Sequence, residues 1–206
     1  MKKRMKKSIE DMKQFSESVF FSLKNQRVDA KVASGIDAHK IHRVKRVPPR
    51  ELKRKKKAVK SALEKIKRVS HLEDMKSAVK LDWSENIFSC RGARLWILDK
   101  EKKFLDGESF AHPGKKLKME MGTGTVGNVV FSGYSINLQD AQKNPKHDNE
   151  EDSKTTSFLC VKIGDLMGRP LGCIALHNKL VGGRFTEEDE KTLNRLCDAL
   201  GRAFGR

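Results

Sequence analysis

The fold is decided by the stretch N-K-L-V-G-G-R-F-T-E-E-D-E, which occupies residues 178 to 190. Asn178 and Lys179 end an apolar run that is typical of a strand, and a Gly-Gly turn follows. Asp189 lies three residues after Thr186, in an acidic variant of the capping box that begins a helix. A lysine at a strand end and an aspartate ten residues later can pair across the turn. We therefore predict that Lys179 and Asp189 join the last strand to the last helix.

Hydrophobic periodicity predicts the other elements of an α+β domain. A first helix is expected over residues 71–88 and a short helix over 125–131, with a polar loop at 142–157. The predicted strands are 94–98, 104–105, 116–121, 134–138, 159–163 and 171–177. This order predicts a mostly antiparallel sheet with the terminal helices packed on one face.

The net charge of +17 is concentrated in the N-terminal third of the 206 residues. Residues 1–68 contain 23 Lys or Arg and 7 Asp or Glu, whereas residues 69–206 contain 21 and 20. We therefore divide the chain into a basic, helical and partly disordered extension over 1–68 and one domain over 69–206. This asymmetry favours an anionic partner for the extension: nucleic acid, an anionic membrane or an acidic protein. A solvated tail with no partner would have the same composition.

Two helices are predicted within the extension, over residues 5–24 and 50–69. The second follows Pro49, a residue favoured at a helix start, and its apolar stripe is typical of a connecting or dimerisation helix. That stripe consists of Leu52, Val59, Ala62, Leu63 and Ile66. The basic residues between 45 and 57 resemble a bipartite nuclear-localisation cluster. We expect a cytoplasmic protein, with the nucleus as the alternative.

The cysteines at positions 90, 160, 173 and 197 have neither CxxC spacing nor the spacing of metal ligands. We expect buried free thiols and no metal site. The sequence contains no apolar run of the roughly 18 residues that cross a bilayer. No apolar stretch follows the basic N-terminus as it would in a secretory signal. We therefore expect an intracellular protein without a transmembrane segment.

The stretch 178–190 resembles the NKxnFx3DE motif of GAF domains from cyclic nucleotide phosphodiesterases and some adenylyl cyclases. Further landmarks of the family occur in the same order along the chain. They are R-L-W-I-L-D at 94–99, G-T-V-G at 124–127, N-L-Q-D-A at 137–141, F-L-C-V-K-I at 158–163 and G-C-I-A-L-H-N-K at 172–179. The resemblance implies a six-stranded antiparallel sheet backed by the two long helices. It places a ligand pocket on the opposite face, beneath the short helices and the 142–157 loop.

The resemblance also implies roles for individual residues. Lys179 and Asp189 would form a structural salt bridge, in a motif that includes Asn178, Phe185 and Glu190. Nucleotide contacts would come from the first strand, the region of the third strand, the short helix and the lid. The matching candidates are Arg94, Ser109, Phe110, Thr125, Val126, Asp148, Asp152 and Thr155.

We therefore predict a non-catalytic regulatory or sensor protein of the cyclic nucleotide phosphodiesterase type. It would need no cofactor, take cGMP, cAMP or another small molecule as its ligand, and relay a signal or dimerise. Its helices would join it to a second copy or to a larger signalling partner. The alternative is a ligand-free GAF scaffold that its basic extension recruits to an anionic partner. This alternative rests on Arg94, where nucleotide binders often have a small residue, and on the acidic run at 148–152 in the lid.

Enzymatic activity is not expected from the sequence, unless the chain is a fragment of a larger phosphodiesterase or cyclase. A phosphodiesterase catalytic domain needs clusters of His and Asp that bind metal ions, and the sequence has none. Some stand-alone GAF proteins reduce free methionine sulfoxide through clustered cysteines in the pocket. Cys160 and Cys173 lie on neighbouring predicted strands but lack the spacing of that cluster.

Overall fold

The computed structural model describes residues 49–108, 114–143 and 155–205, and these residues form one antiparallel sheet of six strands. The spatial order is β3-β2-β1-β6-β5-β4, so the two longest strands, β1 and β6, lie at its centre. The strands are β1 (Cys90–Leu98), β2 (Phe104–Glu108), β3 (Lys116–Glu120), β4 (Ile136–Leu138), β5 (Phe158–Gly164) and β6 (Pro170–Lys179). The predicted α+β class and antiparallel sheet are confirmed.

Three α-helices accompany the sheet within the described residues: α1 (Pro49–Arg68), α2 (Gly124–Ser132) and α3 (Glu187–Phe204). The single helix predicted over 71–88 is instead a 3₁₀ turn, Leu72–Met75, followed by a π-helix, Ala78–Ile87. A second 3₁₀ turn, Ala141–Lys143, follows β4. The helix predicted over 5–24 lies outside the described residues. Within them, no helix has both the length and the apolar character needed to cross a membrane.

The sheet has an apolar layer on each face. On one face, side chains of α1, the π-helix and α3 pack against β1, β5 and β6. The largest buried side chains of this layer include Trp83, Phe88, Leu193 and Leu196. On the other face, Val126, Val129 and Val130 of α2 pack against the sheet. The prediction that the N- and C-terminal helices share one face is therefore confirmed.

Helix α1 contributes part of its apolar stripe to the core of the domain. Ala62 and Ile66 are buried, whereas Leu52 remains 45% exposed. Helix α1 ends at Arg68, where the sequence predicts the boundary between the extension and the domain. That boundary stays a prediction. The predicted connecting or dimerisation helix therefore packs on its own domain along one side and keeps an exposed side.

Candidate ligand-binding face and the Asp189 clasp

Three charged residues from three elements meet at the start of α3. Lys179 Nζ, at the end of β6, lies 3.0 Å from Asp189 Oδ2. Lys55 Nζ, from α1, lies 2.7 Å from Asp189 Oδ1. We call Lys55, Lys179 and Asp189 the Asp189 clasp. The ion pair that the sequence predicts between Lys179 and Asp189 is present, and Lys55 is an additional partner.

The Asp189 carboxylate also caps the helix to which it belongs. Its Oδ2 accepts hydrogen bonds from Thr186 N and Thr186 Oγ1, each at 3.0 Å, and Asp189 N donates to Thr186 Oγ1 at 3.2 Å. This is the predicted capping box. Because the side chain of Asp189 is only 2% exposed, these donors replace the water that the carboxylate loses on folding.

Burial alone would raise the pKa of Asp189, because a low dielectric disfavours the charged form. The hydrogen bond from Lys55, the charge of Lys179 and the backbone N–H of Thr186 outweigh that effect. The pKa of Asp189 is therefore lowered below its ordinary value, and the carboxylate is charged at neutral pH.

Asn178 directs Lys179 into the clasp. Strict alternation along β6 would place Lys179 on the same face as His177. Asn178 has φ +56°, a left-handed conformation that breaks this alternation, and Asn is one of the few residues that adopt it readily. Lys179 therefore reaches Asp189 on the helical face, where its Nζ also donates to the carbonyl of Phe88 at 2.6 Å.

The other motif residues make structural contacts as well. Asn178 Oδ1 accepts hydrogen bonds from Thr156 N at 2.7 Å and Thr156 Oγ1 at 3.1 Å. Phe185 is buried in the helical face, and Glu190 Oε1 accepts from Ser135 Oγ at 2.6 Å. Each motif residue thus ties β6 or α3 to a neighbouring segment.

The opposite face of the sheet carries the candidate binding residue Arg94. It lies on β1, directly across from Ala175 of β6, and is only 6% exposed. Its guanidinium carbon lies 5.2 Å from the centre of the Trp96 ring. We call this surface of the sheet the Arg94 face. Its residues are Arg94, Trp96, Phe158, Cys160, Cys173, Ala175 and His177.

Trp96 packs closely against Gly107 of β2, where any larger residue would clash with the ring. A Cβ atom at Gly107 of β2 would lie 2.7 Å from the Trp96 ring, well inside van der Waals contact. Among the described residues, the buried Nε1 of Trp96 has no hydrogen-bond partner. The indole is therefore fixed by packing, and its N–H remains available to an acceptor.

Helix α2 covers part of the Arg94 face and carries two more candidates. Thr125 and Val126 are buried in its first turn, and Val126 belongs to the same apolar cluster as Trp96. Thr155 is buried just before β5. The structure thus brings Arg94 and Val126 to one face, with Thr155 at the entrance to β5. The candidates Ser109, Phe110, Asp148 and Asp152 lie outside the described residues.

Sequence reasoning did not identify His177 and Phe158 as residues of this face. The His177 ring lies edge-on to the Phe158 ring, with 5.0 Å between their centres, and both are buried. Alternation along β6 was the signal, because residues 173, 175 and 177 lie on one face. An imidazole and an aromatic ring therefore extend the Arg94 face towards the end of β6.

All four cysteines are buried free thiols, as the sequence predicts. Cys160 and Cys173 both lie on the Arg94 face. Burial raises the pKa of Cys173, and its hydrogen bond with Cys160 acts in the same direction. The protonated thiol is the weak nucleophile, so this environment does not activate Cys173. Within the described residues, no group of three or more His, Cys, Asp or Glu is placed to hold a metal ion.

Comparison with known proteins agrees with this architecture. The GAF domain family model matches residues 84–204, more than half of the chain. Over 90 residues the chain is 34% identical to "Dual 3',5'-cyclic-AMP and -GMP phosphodiesterase 11" of Drosophila melanogaster. This match covers 42% of the chain and 6% of the phosphodiesterase, so the chain spans only a small part of that relative.

Two solved structures show the same fold at low sequence identity. The GAF domain of a phosphoenolpyruvate-protein phosphotransferase from Coxiella burnetii has a TM-score of 0.61 and 22% identity, covering 72% of this chain and 91% of that one. The free methionine-R-sulfoxide reductase from Neisseria meningitidis has a TM-score of 0.60 and 17% identity, covering 73% and 88%. Together with the family match and the six-stranded sheet, these similarities show that the chain belongs to the GAF domain family.

Proposed function

We propose that this chain is a regulatory GAF domain that senses a small anionic ligand on the Arg94 face, with a cyclic nucleotide as the first candidate. Arg94 differs from the small residue that nucleotide binders often have, but its buried guanidinium on a largely apolar surface is the observation that carries the proposal. Arginine keeps its charge at every physiological pH. An anionic ligand would interact strongly with that charge, because the surrounding dielectric is low.

The neighbouring groups suit the two parts of a nucleotide. A guanidinium has the geometry to pair with a phosphate, and the N-terminal turn of α2, with Thr125 and Val126, carries the positive end of the helix dipole. Trp96 and Phe158 supply aromatic surface for a base, and Trp96 Nε1 supplies a hydrogen-bond donor. We propose that the phosphate of the nucleotide lies near Arg94 and that its base lies against Trp96 and Phe158.

The relatives support the choice of ligand class. The Drosophila protein is named as a phosphodiesterase of cyclic AMP and cyclic GMP, and this chain matches only 6% of it. We infer that the shared segment performs a sensing role, in keeping with its place in the GAF domain family.

A continuous set of contacts connects the proposed site with α1. Thr156, which follows the candidate Thr155, donates two hydrogen bonds to Asn178. Asn178 orients Lys179, and Lys179 shares Asp189 with Lys55 of α1. A ligand that changes the position of residues 155–156 would act on α1 through this route.

Calorimetric titration of the full chain with cyclic AMP and cyclic GMP tests the proposal. Saturable heat with a Kd below about 1 mM, accompanied by a rise in the melting temperature, is expected for at least one of them. If neither nucleotide produces heat or a melting shift at millimolar concentration, the sensing of cyclic nucleotides is ruled out. The ligand-free scaffold would then be the better description.

A further inference from the structure

The helical face of the molecule contains a groove between α1 and α3. Its lining comes mainly from residues within 50–69 and 188–203, and its volume is about 1720 Å³. Asn86, Ile87, Ser89, Lys179, Val181 and Thr186 complete the lining. We propose that this groove binds an acidic amphipathic helix of a partner protein. The groove lies on the opposite side of the sheet from the Arg94 face, so the inference does not rest on the proposed ligand site.

The floor of the groove is apolar and only partly covered. Val59 and Leu63 of α1 and Ala199 and Ala203 of α3 line it, and all four are half-buried. Leu52 extends this surface and is 45% exposed. An amphipathic helix buries an apolar stripe against a surface of this kind.

The rim of the groove is strongly basic. Among the described residues that line it, nine are Lys or Arg and four are Asp or Glu. Asp189 pairs with Lys55 and Lys179, and Glu64 pairs with Lys67 at 3.0 Å. Outside these pairs the lining keeps six basic and two acidic residues. Helix α1 alone carries ten basic and two acidic residues. Charge complementarity therefore selects a partner whose polar face is acidic.

The size of the groove suits a helix. Ten helical residues fill a cylinder about 15 Å long and 10 Å across, with a volume of about 1200 Å³. The groove volume of about 1720 Å³ would take three to four turns of such a helix on its open floor.

Other occupants fit the charge less well. Residues 1–48 of the same chain contain thirteen Lys or Arg and five Asp or Glu, so they have the same sign as the rim. A second copy would bring its own basic α1 towards this basic surface, and like charges across an interface are unfavourable. An acidic helix from a different protein is the occupant that the charges favour.

The experiment uses a fluorescent peptide of about 18 residues, five helical turns, with leucine at helical spacing and glutamate elsewhere. A control peptide has every leucine replaced by alanine, which preserves its charge. Fluorescence anisotropy with the full chain is expected to give saturable binding of the leucine peptide. The alanine peptide is expected to bind at least about tenfold more weakly, because it lacks the apolar stripe.

Matched variants separate the groove from the rest of the basic surface. Lys56→Glu with Lys60→Glu reverses two exposed charges in the groove lining. Lys53→Glu with Lys57→Glu reverses two exposed charges on the same helix, outside that lining. The groove pair is expected to weaken peptide binding by about tenfold or more, and the control pair by less than about threefold. Circular dichroism and thermal unfolding check that both variants fold.

Several outcomes would overturn the proposal. Equal losses in the two paired variants, or equal binding of the two peptides, would show non-specific charge attraction. Vesicles of phosphatidylglycerol and a DNA duplex are titrated in the same way. Binding of either that depends on Lys56 and Lys60 but not on Lys53 and Lys57 would assign the groove to that partner instead. A dimer in sedimentation equilibrium that only the groove pair disrupts would assign it to a second copy.

Discussion

Lys55 Nζ lies 2.7 Å from Asp189 Oδ1, although 134 residues separate them in the sequence. This contact fastens the basic helix α1 to the start of α3, on the same carboxylate that holds Lys179 of β6. The motif that identifies the family therefore also holds α1 against the rest of the fold. Asp189, at the start of α3, thus pairs with both Lys179 of β6 and Lys55 of α1.

Replacing Lys55 by methionine is expected to lower the free energy of unfolding by about 1–3 kcal/mol. The change removes a hydrogen bond to a buried charge while keeping most of the side-chain volume. Urea denaturation measures the effect. Lys56→Met is the control, because Lys56 is exposed on the same helix and should change stability by less than about 0.5 kcal/mol. Equal effects of the two substitutions would contradict a specific role for Lys55.

Acid should weaken the clasp. The pKa of Asp189 is lowered in the folded state, so the unfolded state binds more protons between the ordinary value of 3.8 and the lowered value. Stability from this group is present above 3.8 and is lost as the pH falls through the folded pKa. The difference in unfolding free energy between the wild type and Asp189→Asn should therefore shrink below about pH 4.

The control for the acid experiment is Glu187→Gln, at an exposed position in the same first turn of α3. The difference between the wild type and this control should vary much less with pH. A difference between the wild type and Asp189→Asn that stayed constant from pH 6 to about pH 3 would show that the carboxylate does not stabilise the fold through its charge.

Asn178 should tolerate glycine better than alanine. At φ +56°, alanine is strained by roughly 1 kcal/mol relative to glycine, and both substitutions lose the two hydrogen bonds from Thr156. Thermal unfolding should therefore rank the proteins as wild type, then Asn178→Gly, then Asn178→Ala. An alanine variant at least as stable as the glycine variant would contradict the role assigned to the left-handed backbone.

Gly201→Ala should destabilise the domain even though alanine is the better helix former. A Cβ atom at Gly201 of α3 would lie 1.8 Å from the carbonyl oxygen of Gly164, so the helix would have to move away from β5. Overpacking of this kind costs about 1–3 kcal/mol. Asp198→Ala, at an exposed position of the same helix, is the control. A Gly201→Ala protein as stable as the wild type would show that α3 can shift without loss of packing.

The fold was largely readable from the sequence because its signals are local. The cap at Thr186 and Asp189 fixes the start of α3, and the apolar runs fix β5 and β6. The sequence predicts a single helix over 71–88, because a spacing of three to four residues does not distinguish α from 3₁₀ or π winding.

The residues missed by sequence reasoning depend on contacts between distant segments. Lys55 is one of many lysines in α1. Its position one turn before Val59, a residue of the apolar stripe, is the sequence feature that places it near the buried side of the helix. The sequence predicts His177 as the last residue of a strand, and alternation with Cys173 and Ala175 places it on the Arg94 face. Charge and spacing predicted that α1 is amphipathic, but they could not show which partner its lysines contact.

The proposed ligand site is tested most directly by comparing cyclic nucleotide binding to Arg94→Met and Arg91→Met by calorimetry. Both substitutions remove one arginine from β1, but Arg94 is buried on the proposed binding face and Arg91 is exposed. Thermal unfolding checks that both fold, and Arg94→Lys tests whether charge alone restores binding. We predict a loss of at least about tenfold for Arg94→Met and less than about twofold for Arg91→Met. Equal affinity of folded Arg94→Met and the wild type would contradict the proposal that the ligand is held on the Arg94 face.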